Sequence, residues 1–322
     1  MILAFVPENG RLRASTDALG SFATAVWLDV VSPTPDEERA IEERLGIDLP
    51  TREEMLGIEI SSRLYIEDNH VFMTARLPAR TDSDDLLVEP VTFVLADGKL
   101  VTVRYHEPRV FKTFPQRAEK TALGCTNGEV VLMYLLEATS DRIADILERA
   151  EREVEQLSRD VFTAGPEMSV RPNLRTLLLQ IGQKNDLCSD VRDCLVSLQR
   201  LAGFLSHVLT QRSADKDLRG RVRTLSRDIQ SLGDHASFQS QKITFLLDAT
   251  LGMIAIEQNN IIKIFSIAAG VFLPPTLIAS IYGMNFRVMP ELAWPYGYPL
   301  AGVLMLVSAL LPLWYFKRRG WL

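Results

Sequence analysis

Two hydrophobic periods divide the chain. Up to about residue 120, short runs rich in β-branched and aromatic residues are separated by polar stretches. They are Ile2–Val6, Ala25–Val31, Leu64–Glu67, Val71–Leu77, Val88–Leu95 and Leu100–Tyr105, and they read as strands. Asp68-Asn69 and Asp97-Gly98 supply turn chemistry between neighbouring runs. Pro35–Leu45 reads as a helix with its acidic residues early, where they favour the dipole. The first region is therefore expected to be an α/β sheet domain.

After Cys125 the period lengthens to that of helices. Thr126 with Glu129 fits a capping box. Ile143, Leu147, Ala150, Val154, Leu157 and Val161 then recur at alternating steps of four and three, a coiled-coil-like seam ended by Gly165-Pro166. A second helix is predicted from about Asn173 to Gln211. A third starts near Asp217 and meets no proline before Pro274. Unbroken to Tyr282, its 66 residues extend about 100 Å at 1.5 Å per residue, longer than a single small domain. It is expected to be a stalk that enters a membrane as its first span.

Ile264–Tyr282 and Tyr298–Phe316 contain no charged residue. Each has 19 residues, about 28 Å of helix, close to the hydrocarbon thickness of a bilayer. Lys263 precedes the first span, and Lys317, Arg318 and Arg319 follow the second. The connection at 283–297 carries only Arg287 and Glu291. The positive-inside rule then places both termini in the cytoplasm, with the connection outside. Three regions are expected: a cytoplasmic α/β domain at 1–120, long helices and stalk at 121–260, and a membrane domain at 261–322.

Charge sharpens this division. The chain's net charge is -6. From residue 261 onward, 5 basic and 1 acidic residues give +4, so residues 1–260 hold -10. That balance argues against a nucleic-acid partner. Three cysteines (Cys125, Cys188 and Cys194) form no CxxC pair and suit a reducing compartment. His70, His106, His207 and His235 occur without a metalloprotease, nucleophile-elbow or phosphate-loop motif, so no enzyme and no organic cofactor are expected.

The first span runs into Tyr282-Gly283-Met284-Asn285-Phe286, followed by Met289-Pro290-Glu291-Leu292 and Gly297-Tyr298-Pro299. A Gly-Met-Asn tripeptide directly after the first of two C-terminal spans, with a basic terminus, resembles the CorA family of magnesium transporters. The likeness is most specific from Glu257 to Leu322 (IIKIFS, FLPPT, YGMNF, MPEL, GYP and the closing YFKRR-x-WL). A weaker one covers AVWLDVVSP at residues 25–33. The intact tripeptide suggests the bacterial magnesium and cobalt branch, in the cell inner membrane. The resemblance implies a funnel-shaped homopentamer whose first spans line one central pore, with cytoplasmic magnesium bound between subunits to hold it shut.

Residue chemistry is consistent with that picture. Two helices cannot enclose a hydrated pore, so transport needs several copies around an axis. Asn259, Ile262, Ser266, Ala269, Leu273, Thr276 and Ser280 share one helical face of mostly small or polar residues. Bulky Ile267, Val271 and Ile278 are expected to face lipid. Ile262, Phe265 and Leu273 are candidate apolar constrictions. A ring of Asn285 carbonyls, with Gly283 allowing a tight backbone beside Met284, suits magnesium, which keeps much of its water when bound. Glu291 is a candidate for concentrating cations at the outer mouth. Asp82, Asp84 and Asp85 on the sheet domain, with Asp228, Asp234 and Asp248 on the stalk, are candidate sensors for regulatory magnesium. Neither span holds an ionisable side chain of the kind that proton-coupled pumps use, which favours passive flow. Two other readings share these features: a zinc or other divalent transporter of the same architecture, and a membrane-tethered coiled-coil scaffold.

Overall fold

A computed structural model describes residues 1–322 apart from 16, 18–19, 58, 60–62, 82–85, 163–173, 213, 286–288, 291–293 and 322. Two compact units emerge, Met1–Leu247 and Asp248–Leu322.

Seven strands form one mixed sheet in the first unit. They are β1 (Ile2–Glu8), β2 (Arg11–Ala14), β3 (Trp27–Val31), β4 (Leu64–Glu67), β5 (His70–Ala79), β6 (Leu87–Ala96) and β7 (Lys99–Arg104), in the order β2-β1-β3-β7-β6-β5-β4. Only β3 and β7 pair in parallel; the other pairs are antiparallel. The turns at Asp68-Asn69 and Asp97-Gly98 form as expected, with positive φ at both residues of each.

Strand β2 escapes the hydrophobic pattern because Leu12 is its only buried residue. Asn9 (φ 51°) and Gly10 (φ 77°) make the tight turn that returns it onto β1. Two helices were also absent from the hydrophobic pattern: α2 (Arg52–Leu56), capped by Thr51 and Glu54, and α3 (Val110–Lys120). Helix α1 (Pro35–Leu45) matches expectation and has a complete capping box between Thr34 and Glu37.

The two faces of the sheet bury different chemistry. Leu28, Val30, Val94, Val101 and Val103 pack beneath Ile41 and Leu45 of α1. On the opposite face Trp27 stacks on Phe5 (4.3 Å between centroids) and tilts against Phe111 and Phe114 of α3. Asp29 lies on that face too, fully buried. It accepts hydrogen bonds from Thr102 Oγ1 (2.8 Å), Arg104 Nε (3.1 Å) and Arg104 Nη2 (2.9 Å). Thr102 in turn accepts from Trp27 Nε1 at 3.0 Å. A buried charge is tolerated only when paired and hydrogen-bonded in this way.

The long helices are α4 (Gly128–Phe162), α5 (Leu174–Gln211) and α6 (Lys216–Tyr282). The residue capping α4 is Asn127, whose Oδ1 accepts from Val130 N–H at 2.9 Å, in place of the expected Thr126. All six residues of the predicted seam, Ile143 to Val161, are buried. Gly165-Pro166, its predicted end, lies outside the described residues. Ion pairs tie the helices together: Lys184 of α5 to Glu153 of α4 (2.6 Å), and Arg221 of α6 to Glu137 of α4 (2.7 Å). Helix α5 also closes the sheet. Beyond the end of β4, Arg76 N–H on β5 donates to Ser197 Oγ at 2.9 Å, satisfying an edge group.

Helix α6 is continuous through Pro274 and Pro275, and the second unit is completed by α7 (Gly297–Arg318). Each carries a window long and apolar enough to cross a membrane, and almost none of that surface is covered by the chain itself.

Candidate functional site

Contact between the two apolar helices is made where α6 has no side chain. A Cβ at Gly270 would stand 3.0 Å from Phe316 Cε2 on α7. Ile267, Val271, Pro274 and Ile278 are half-buried on the same stripe of α6. Ile267, Val271 and Ile278, expected to face lipid, are thus partly covered in the single chain. Their bulk fits both roles; the small residue that marks the contact is Gly270.

Asn259, Ile262, Ser266, Ala269, Leu273, Thr276 and Ser280 are all exposed. At 3.6 residues per turn, the centre of that face lies about 140° around α6 from the covered stripe. Phe265 is also exposed, about 70° from the face's centre, at its margin. The face is lined by Asn, Ser, Ala and Thr hydroxyl, amide and methyl groups. Thr276 Oγ1 donates to Phe272 O (2.7 Å), so its hydroxyl oxygen keeps acceptor capacity.

Directly beyond this face α6 ends. Gly283 N–H donates to Ala279 O (2.9 Å) and Met284 N–H to Ile281 O (3.3 Å). A Cβ at Gly283 would approach Ala279 O to 3.1 Å, so the final turn is tightest with glycine there. Met284 and Asn285 follow, both exposed. Among the described residues, no basic side chain occupies the last turn of α6, where it would offset the negative end of the macrodipole. A helix end of this kind attracts cations, and Asn285 adds a side-chain carbonyl beside it. Glu291 lies outside the described residues.

Among the described residues, the acidic candidates Asp228, Asp234 and Asp248 form no metal-binding group. Asp82, Asp84 and Asp85 lie outside the described residues. Asp228 borders an open groove of about 660 Å³ between α4 and α6, shared with Glu137, Asp141 and Arg221. Glu137 is occupied by Arg221. Burial, and then the Glu137 charge, raise Asp141 above the usual carboxylate range, with Asp145 and Asp228 adding to the rise and Arg117 opposing it. Asp234 and Asp248 are exposed on α6. Among the described residues, no three His, Cys, Asp or Glu side chains form a metal-binding group.

A sequence profile of the family described as CorA-like Mg2+ transporter protein matches residues 22–318. The chain belongs to the CorA family. Full-length relatives agree: the magnesium transport protein CorA of Pasteurella multocida is 37% identical, and that of Escherichia coli 38%, each with 100% of both chains covered. The fold is also that of the complete CorA magnesium transporter from Methanocaldococcus jannaschii (TM-score 0.77, 19% identity, 100% of this chain and 99% of that one). The full-length CmaX protein shares it at a TM-score of 0.71 and 16% identity, with 99% and 97% covered. The resemblance read from Gly283-Met284-Asn285 and its flanks thus extends over the whole CorA-type chain, as does the expected plan of sheet domain, long helix and two apolar C-terminal helices.

Two features of this CorA-family chain were not read from its sequence: the Asp29–Arg104 pair and the Gly270–Phe316 contact. Asp29 sits in a run of apolar residues, and an acidic residue inside a strand is the signal that could have marked it. The three thiols are buried and inert: burial pushes Cys125 and Cys188 up to about 11 and Cys194 up to about 12.

Proposed function

We propose that this protein carries Mg2+ across the cell inner membrane through a channel-like pore at the axis of a homopentamer, with cobalt and nickel as further cargo. The observation that carries this reading is the free face of α6. It lies opposite the side packed on α7, is mostly small or polar, and leads to Gly283-Met284-Asn285 at a helix C-terminus whose last turn holds no basic residue. Names of full-length relatives at 37–38% identity point to the same cargo.

In this reading Asn259, Ser266, Ala269, Thr276 and Ser280 line the pathway. Ile262, Leu273 and Phe265 narrow it, closing it by dewetting. Five Asn285 carbonyls and five helix ends meet the ion's hydration shell, because Mg2+ gives up water reluctantly. Dipoles attract a dication without the grip of carboxylates, so it leaves again. Glu291 concentrates ions outside. A dication gains about 4.6 kcal/mol crossing 100 mV inward, so the membrane potential favours entry. Both termini face the cytoplasm, as the basic residues flanking the spans require. Internal Mg2+ acts as a second ligand, binding between subunits at carboxylates drawn from Asp82, Asp84, Asp85, Asp228, Asp234 and Asp248. The domain limits 1–120, 121–260 and 261–322 divide sheet, stalk and pore.

Liposome uptake with Asn285→Ala tests the filter. Loss of Mg2+ flux, or of its selectivity over other divalent ions, is expected; unchanged flux and selectivity remove Asn285 from that role. Subunit counting in a mild detergent tests the pentamer, and a metal-competition series separates magnesium from zinc as cargo.

A further inference from the structure

Where β4 ends and α5 takes over the edge of the sheet, a pocket of about 240 Å³ opens in the first unit. Arg63, Arg76 and Arg200 line it with Thr74, Ser197 and a single acid, Asp193. This is an unusual concentration of positive charge for a chain of net charge -6. Three guanidiniums against Asp193 leave +2, and including Asp190, which also feels the Arg76 charge, leaves +1.

The arginines are held apart from full neutralisation. Arg63 Nε donates to Gly57 O at 2.6 Å, which anchors the side chain while its two terminal nitrogens make no bond among the described residues. Burial, followed by repulsion from Arg76 and Arg200, disfavours its charged form. Arg76 is fixed through its backbone by Ser197, but its guanidinium reaches Asp193 and Val88 O only at 3.5 Å, at the limit of a hydrogen bond. Arg200, on α5, is exposed and makes no bond among the described residues. The hydroxyls are already used: Ser197 Oγ accepts from Arg76 N–H and donates to Cys194 O, and Thr74 is bonded to Thr92. The unused donors in the pocket are therefore guanidinium N–H groups, with the Asp193 carboxylate beside them as an acceptor.

We propose that this pocket is a binding site for a phosphate group, free or carried by a nucleotide. A guanidinium presents parallel donors that match two phosphate oxygens, and a phosphate both bonds to the idle donors and relieves the repulsion among the three cations. The volume is that of about eight waters, enough for a phosphate group with part of its shell. The site lies within the first unit, on β5, α5 and the turn that enters β4.

Equilibrium binding of inorganic phosphate and of ATP to the full chain in zwitterionic nanodiscs, with EDTA present, tests it. Saturable, salt-sensitive binding of either probe is expected. Tighter binding of ATP identifies a nucleotide as the source, and equal or tighter binding of phosphate identifies the free ion. Arg200→Gln, which breaks no bond among the described residues, is expected to weaken binding about tenfold. Arg13→Gln, at an exposed pair with Glu8 on the far edge of the sheet, is expected to leave it unchanged. The proposal is overturned by absence of saturable binding of both probes at millimolar concentration, by wild-type affinity in Arg200→Gln, or by an equal loss in Arg13→Gln.

Discussion

Changing Asp29 to Asn removes one charge and almost no volume from the centre of the sheet. Both partners are hidden there: the Asp29 side chain is 1% exposed and that of Arg104 8%. The carboxylate accepts from Arg104 Nε and Nη2 and from Thr102 Oγ1. An amide keeps one acceptor, but its NH2 then confronts the guanidinium donors. Arg104 retains His106 O (2.7 Å) and the Phe111 ring (4.8 Å to centroid), neither of which carries the opposing charge. Leaving one member of a buried pair uncompensated costs about 3–5 kcal/mol. At 1.36 kcal/mol per decade, that raises local opening about 10²- to 10⁴-fold. Hydrogen exchange followed by mass spectrometry reads this directly, with β3 and β7 peptides as reporters and α7 as internal control. Replacing both partners, Asp29→Leu with Arg104→Met, is expected to recover most of the protection, because an apolar pair of similar volume avoids the desolvation cost. Exchange in Asp29→Asn within tenfold of wild type would refute the claim that the charge pair holds the β3–β7 seam.

Three further outcomes are expected. Cys125, Cys188 and Cys194 are buried with raised thiol pKa values, so iodoacetamide near neutral pH should label the folded chain only slowly and the denatured chain fully; rapid labelling of native protein contradicts their burial. Gly270→Ala should lower the thermal stability of the detergent-solubilised chain by about 1–3 kcal/mol through overpacking against Phe316, and Phe316→Leu in the same chain should restore it. Equal melting of single and double variants rules out that contact. Asp228→Asn and Asp248→Asn should each weaken closure by internal Mg2+ in patch recordings, and inhibition identical to wild type removes both from the sensor.

Much of this architecture was written in local patterns. Six of the seven strands appear as runs of β-branched and aromatic residues; for β3, β5, β6 and β7 the reason is that a strand buried on both faces needs an apolar residue at nearly every position. Strand β2 left no such trace, since one buried leucine and a turn suffice at an edge. The α4 cap moved by one residue, from Thr126 to Asn127, because adjacent residues offer equivalent oxygens and only backbone geometry chooses between them.

At the candidate pathway, the small and polar face of α6 and the tripeptide after it were both legible. A period of 3.6 assigns residues to faces without saying what each face meets. The sequence alone settled what solvent each segment prefers: charge-free stretches of 19 residues need hydrocarbon, and an acidic body of net -10 needs water. Tertiary structure decided which side of α6 packs on α7, that Asp29 answers Arg104 across 75 residues, and that three arginines from different elements share one pocket. The reason is physical: solvent preference is a sum over neighbouring residues, while a contact between distant residues exists only once the chain has folded back on itself.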